Sequence, residues 1–216
     1  RYAKEGYISA TINYSRIGKD TLNLDRGNTF PSIESMVAEI DMAINSIVQD
    51  CNQHGITLTQ MAIGGYSAGG HLAMLYANRH AKDSAIPIRF QISWVGPSDF
   101  TLLFPTNKEK MARIWNEDSE ENISKRKEFQ RGMYFLSGEN IQTNTYSDIL
   151  EDSLKRKASP LYHINTNTPP AVLVYGAKDQ LVSAKHGELT SLALQRSGID
   201  HRLYVFPNSG HELGAD

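Results

Sequence analysis

Residues 62–71 read AIGGYSAGGH. Gly64, Gly65, Ala68, Gly69 and Gly70 crowd around a single serine, Ser67. The apolar run Met61-Ala62-Ile63 leads in, and a helix-like stretch, Leu72-Ala73-Met74-Leu75-Tyr76, leads out. Residues 60–66 read as a strand and 71–80 as a helix. A strand that feeds a helix through so many glycines turns where side chains have no room. Ser67 stands at the apex of that turn.

Working outward, the same grammar repeats. Residues 33–51 place Ile33, Met36, Val37, Ile40, Ala43, Ile44, Ile47, Val48 and Cys51 at helical spacing, between a start at Pro31-Ser32 and a stop at His54-Gly55. Cys51, the only cysteine, falls on the apolar face and reads as a packing residue. YISATINY, residues 7–14, is rich in β-branched and aromatic types and reads as a buried strand. Further strands are read at 88–95 (IRFQISWV), 169–176 (PPAVLVYG) and 201–207 (HRLYVFP), with a helix at 184–196. Strands alternating with helices predict an α/β fold, a mostly parallel sheet flanked by helices. Residues 98–160 are polar, charge-rich and without strand signals. They read as a helical cap or lid insertion within one domain spanning 1–216. Phe100, Leu103, Phe104, Trp115, Met133, Tyr134 and Phe135 are candidates to line a pocket there, or equally to pack the insertion onto the domain beneath.

Gly65-Tyr66-Ser67-Ala68-Gly69 fits the G-x-S-x-G nucleophile elbow, in the strand-to-helix context that makes the match informative. The elbow holds its serine in a strained backbone, and Gly65 and Gly69 are expected to remove side chains that would collide. The hydroxyl then stands near the positive end of the new helix, and the Ala68 amide points to where an oxyanion forms. A serine hydroxyl alone is a poor nucleophile; it needs an imidazole to take its proton and a carboxylate to orient that imidazole. Asp179, in VLVYGAKDQLV, follows the fourth strand by a short loop, and His211, in VFPNSGHEL, follows the fifth. In a parallel sheet both loops belong at the end where Ser67 stands. Asp99, in VGPSDF, is a rival acid. Among the other histidines, His163 is the best alternative base but reads as structural; His54, His71, His80, His186 and His201 lie in or beside other elements. No H-E-x-x-H or Cys/His cluster suggests a metal, and no cofactor is expected.

These residues resemble the α/β-hydrolase superfamily, and within it the esterase/lipase group of acetyl-xylan-type, feruloyl-type and kynurenine-formamidase-like enzymes. GYISATINYSRIG resembles the strand after that group's oxyanion loop, FPSIESMVAEIDMAINSI its next helix and GGYSAGGHLAMLYA its elbow. ASPLYHINTNTPPAVLVYGAKDQLV and VFPNSGHEL resemble its acid and base segments. The resemblance implies Ser67 as nucleophile, Asp179 as acid, His211 as base and the Ala68 amide as one oxyanion donor. It also implies an N-terminally incomplete α/β-hydrolase fold. The sequence opens at the counterpart of the family's fourth strand, so the first three strands and the His-Gly-Gly-type oxyanion loop are expected to belong to a longer gene product. The function expected is a serine hydrolase that cleaves small carboxylic esters through an acyl-enzyme. The alternatives are a prolyl-oligopeptidase-type peptidase or formamidase on the same three residues, or a truncated, inactive relative. A formal charge of −2 over 216 residues provides no field for nucleic acid. No apolar run approaches the length of about 20 residues that spans a bilayer. The expected partner is a small ester; oligomeric state and localisation are not read from the sequence.

Overall fold

The structure, a computed structural model, describes residues 2–16, 31–141 and 143–216. Ile17, Gly18 and Phe30, at the ends of two of the family-like segments, lie outside the described residues. Four strands, β1 (Met61–Tyr66), β2 (Ile88–Trp94), β3 (Ala171–Gly176) and β4 (His201–Phe206), form one parallel sheet in that order. The helices are α1 (Ile33–Gln53), α2 (Ala68–His80), α3 (Phe100–Leu103), α4 (Lys108–Asn116), α5 (Glu120–Ser137), α6 (Asp148–Lys157) and α7 (Lys185–Arg196). α2 links β1 to β2, and α7 links β3 to β4. The connection from β2 to β3 carries α3–α6, so the polar stretch is helical as expected.

Local chemistry places the ends of α1. Ser32 caps it and accepts from the Ser35 N–H, while the Ser35 hydroxyl accepts from the Ser32 N–H, a reciprocal capping box. Gly55, just past the helix, takes φ +72°, a left-handed conformation that glycine adopts freely. Ile33, Met36, Val37, Ile40, Ile44 and Cys51 are its buried face. All of these except Cys51 meet Leu72, Leu75 and Tyr76 of α2 and Met133, Leu136 and Leu154 of α5 and α6 in one apolar cluster. A second cluster joins Met74 of α2 and Leu194 of α7 to Ala171, Leu173 and Tyr175 of β3. Arg79, near the end of α2, ties the layers together. Its guanidinium donates to both Glu34 oxygens at 3.0 and 2.9 Å and to the Lys157 carbonyl.

The sheet is not covered equally. Leu173 and Tyr175 point into the helices and are fully buried. The register puts Ala62, Phe90, Val172 and Arg202 on the opposite face, with Tyr66, Trp94, Val174 and Tyr204 beside them. On that face Phe90 is 37% exposed and Tyr204 50%.

One expectation changes. Residues 7–14 are not a buried strand: they form no ladder, and Tyr7 and Ile8 are 68% and 54% exposed. A strand needs a neighbour to take up its backbone groups, and no described strand pairs with this run. β-branched content measures fitness for a pleated surface, not the presence of a partner. Ile12 and Tyr14 still pack on the first cluster. In the insertion, where the sequence leaves lining and packing as open alternatives, most of the candidates pack. Phe100, Leu103, Met133 and Phe135 pack into the first cluster, and Trp115 packs edge-on against Phe129. These residues hold the insertion to the core; Phe104 alone of the apolar candidates stands out, at 54% exposed.

Inside the insertion a buried ion pair sets loop positions. Lys155 lies 2.7 Å from Glu151 and donates to the Phe104 carbonyl at 2.5 Å and the Thr106 hydroxyl at 2.6 Å. Tyr146 donates to the other Glu151 oxygen at 3.0 Å.

Replacing Leu173 by Ala removes a side chain from a site with no water access. The expected loss is about 3 kcal/mol of unfolding free energy, read as a lower urea midpoint at unchanged slope.

Candidate active site

Ser67 is the hinge between β1 and α2. Its N–H donates to the Trp94 carbonyl at 2.8 Å and its own carbonyl accepts from the His71 N–H at 3.0 Å, so strand ladder and helix both run through it. The price of serving both is a backbone at φ 52°, ψ −119°, a conformation that costs on the order of 1–3 kcal/mol for a side-chain-bearing residue. Close approach of glycines enforces it. A Cβ on Gly65 would lie 2.3 Å from the Gly69 carbonyl group. One on Gly70 would lie 2.9 Å from the Gly65 carbonyl and from Ser93 Oγ. The expectation for Gly69 is corrected: a Cβ there meets nothing within 4 Å. The contact is one-sided. It is Gly65 that points at the backbone of residue 69, and the second crowded glycine is Gly70, which faces back into the sheet.

The next loop follows β3. Asp179 is buried, and its Oδ1 accepts the Leu181 and Val182 N–H groups at 2.8 and 2.9 Å. Its Oδ2 lies 2.7 Å from His211 Nδ1. The loop after β4 brings the histidine. A Cβ on Gly176 would sit 2.4 Å from the Ser209 and Gly210 carbonyls, so only glycine lets the two loops touch. The Lys178 N–H then donates to the Ser209 carbonyl at 3.0 Å. His211 Nε2 comes within 3.0 Å of Ser67 Oγ. Because the carboxylate only accepts, the imidazole proton sits on Nδ1, and Nε2 offers its lone pair to the serine hydroxyl. Thus Ser67, His211 and Asp179, far apart in the chain, form one line of hydrogen bonds at the carboxyl ends of β1, β3 and β4. Ala68, the first residue of α2, has an N–H with no partner four residues back, beside Ser67 and exposed.

The rival residues are occupied elsewhere. Asp99 caps α3, taking the Thr101 N–H and hydroxyl at 2.8 and 2.7 Å, and accepts from Tyr162 at 3.1 Å. His163 Nε2 lies 3.3 Å from Arg79 Nε and 2.7 Å from the Lys157 carbonyl, a packing role. His71 is buried, stacked on Phe100 at 4.5 Å between centroids, with Nδ1 2.8 Å from the Pro97 carbonyl. Burial pushes its pKa down to about 4, so it is neutral near pH 7 and donates from Nδ1. His186 Nδ1 accepts the Ser98 and Asp99 N–H groups at 3.2 and 3.3 Å. Burial lowers its pKa as well.

Two contributors escaped the sequence reading. Asp216 accepts from the Asn208 N–H and amide group, both at 2.9 Å, and from the Ser209 hydroxyl at 2.8 Å, closing the histidine loop on itself. Nothing in its local sequence marks it. The Tyr66 hydroxyl donates to the His211 carbonyl at 2.5 Å across 145 positions. Two cavities, about 380 and 140 Å³, lie within the insertion, bounded by residues such as Arg113 and Lys125, and Trp115 and Tyr146; neither touches Ser67.

The model of the BD-FAE family matches residues 1–194. This chain belongs to the BD-FAE family. The parallel sheet flanked by helices is an α/β-hydrolase fold. This BD-FAE chain is 25% identical over 217 residues to the esterase LipQ of Mycobacterium tuberculosis, covering 98% of itself and 44% of that relative. It superposes on a lipase/esterase of Lactobacillus plantarum with a TM-score of 0.58 at 14% identity, over 91% of this chain and 63% of that one. An acetyl ester-xyloside bifunctional hydrolase of Caldicellulosiruptor lactoaceticus aligns with a TM-score of 0.52 at 19% identity, over 88% and 60%. The chain thus spans less than half the length of the curated relative it matches and about three fifths of these two structures.

The elbow geometry separates its glycines. Gly65→Ala forces Cβ into the Gly69 backbone and is expected to abolish a cooperative melting transition. Gly69→Ala is expected to melt near the parent temperature, and circular dichroism decides between them. The buried histidines make stability depend on acid. The His71 pKa falls from 6.5 unfolded to about 4 folded, so the unfolded chain binds the extra proton in that window. Stability is therefore fully present above pH 6.5 and declines towards pH 4, by up to about 3 kcal/mol. Urea titrations at stepped pH are expected to show this decline, and His71→Asn to flatten it.

Proposed function

We propose that this chain carries the acyl-transfer centre of a serine carboxylic ester hydrolase. The observation that carries the reading is the line from Ser67 Oγ through His211 to Asp179, with steps of 3.0 and 2.7 Å. In this reading Ser67 Oγ attacks the ester carbonyl as its proton passes to His211 Nε2. Asp179 stays ionised and stabilises the imidazolium. The tetrahedral oxyanion takes the Ala68 N–H as one donor, helped by the positive end of α2. Collapse expels the alcohol, which takes the proton from His211. A water molecule, deprotonated by the same imidazole, then frees the acid and restores Ser67.

Strained geometry at Ser67 supports this reading, because backbone strain of this kind clusters at functional sites. The relative's name, an esterase, favours an ester over an amide as the bond cleaved. The proposed substrate is a small carboxylic ester. The insertion α3–α6 leaves the sheet at the end of β2, beside the elbow, and we read it as a cap over the substrate.

The test is hydrolysis of p-nitrophenyl acetate by the parent chain and by Ser67→Ala. Loss of at least about 10³-fold in kcat is expected, since removing one member of such a triad costs most of the chemistry. A fluorophosphonate probe is expected to label the parent at Ser67. Equal turnover by both proteins, or labelling at another residue, overturns the proposal.

A further inference from the structure

We infer that Tyr66 is a positioning residue for His211: adjacent side chains at the elbow grip the same histidine, Ser67 by its ring and Tyr66 by its main chain. The inference rests on the serine-hydrolase reading and assigns work to a position that the G-x-S-x-G pattern leaves open.

Geometry carries the argument. Tyr66 is the last residue of β1, so its Cα is held by the ladder to β2. From that rigid point its hydroxyl donates to the His211 carbonyl at 2.5 Å. Its ring stands against the imidazole, centroids 5.4 Å apart at 65°, an edge contact that resists ring rotation. Partial burial, followed by the Glu212 and Asp179 carboxylates, holds the phenol pKa above its ordinary value. The hydroxyl therefore remains a donor over the range in which a histidine acts as a base.

The loop explains why such a grip is needed. Residues 207–216 form neither helix nor strand. The other anchors hold the ends of this loop: Lys178 at Ser209, and Asp216 at Asn208 and Ser209. His211 must meet Asp179 with one nitrogen and Ser67 with the other, which demands a fixed Cα as well as a fixed ring. The Tyr66 hydroxyl acts on residue 211 itself. It also links the loop to β1, so that nucleophile and base share one rigid support.

The substitution Tyr66→Phe removes one oxygen and keeps the ring, so folding is retained and melting temperature serves as the control. Steady-state turnover of p-nitrophenyl acetate is expected to show kcat lowered roughly 3- to 10-fold, the effect of one neutral hydrogen bond, with KM within about twofold. The fluorophosphonate labelling rate is expected to fall by a similar factor. Proton NMR is expected to show the low-field resonance of His211 Nδ1–H in the parent chain and its broadening in Tyr66→Phe. In a His211→Ala background, adding Tyr66→Phe is expected to change neither rate. Parent-like kcat together with a sharp low-field proton in Tyr66→Phe overturns the inference. So does an effect on KM, or one that persists without His211, since either makes Tyr66 a substrate contact. A parent chain that neither turns over nor labels refutes the functional reading alone, and the NMR comparison still decides whether Tyr66 orders His211.

Discussion

Everything at the candidate site depends on how closely a strand and a helix can cross. β1 passes into α2 through one residue, and the carbonyl group of Gly69 lies where a Gly65 side chain would begin. That approach leaves Ser67 at φ 52°, bonded backward to β2 and forward to His71. The strain is local, but one of the two elements that hold it is tightly packed: α2 is buried from Gly70 through Asn78. A tight interior can sustain an unfavourable dihedral because relaxing it would open contacts along the whole helix.

From that hinge the remaining geometry follows by parallel topology. Strands running the same way end on the same side, so the loops after β3 and β4 meet beside the elbow. They meet closely because Gly176 has no side chain to hold the His211 loop away. Asp179 is fixed by two backbone N–H groups of its own turn, which makes it a rigid stop for the imidazole. His211 has the least regular support of the three. It stands on a coil segment secured by Lys178, Asp216 and Tyr66, each contact weak alone and all converging on a few residues.

Membership of the BD-FAE family and the α/β-hydrolase sheet agree with this arrangement. The insertion is better understood as part of the core than as a loose appendage. Met133, Leu136 and Leu154 share a cluster with α1 and α2, and Arg79 clasps Glu34 and the Lys157 carbonyl. An insertion bound this way is held at its base. Phe104 is among the apolar positions of the insertion that stay exposed.

Much of this was legible in the residues. The period of apolar positions marked α1, the apolar runs marked β1–β4, and Gly-x-Ser-x-Gly with an Asp and a His after later strands pointed to one rim of a parallel sheet. Those signals are local: propensity, capping and turn chemistry are written in adjacent residues. The sequence misread 7–14, because a strand exists only with a neighbour, and no pattern within eight residues reports one. It misplaced the second crowded glycine, because which Cβ collides depends on how strand and helix cross in space. It passed over the Tyr66 hydroxyl, the Asp216 clasp and the neutral, buried state of His71, each of which depends on what tertiary contact places beside it. The kinds of residue that meet at the site were determined along the chain; their distances, protonation and support were decided only when β1, β3 and β4 closed into one sheet, because hydrogen bonds and burial act through space.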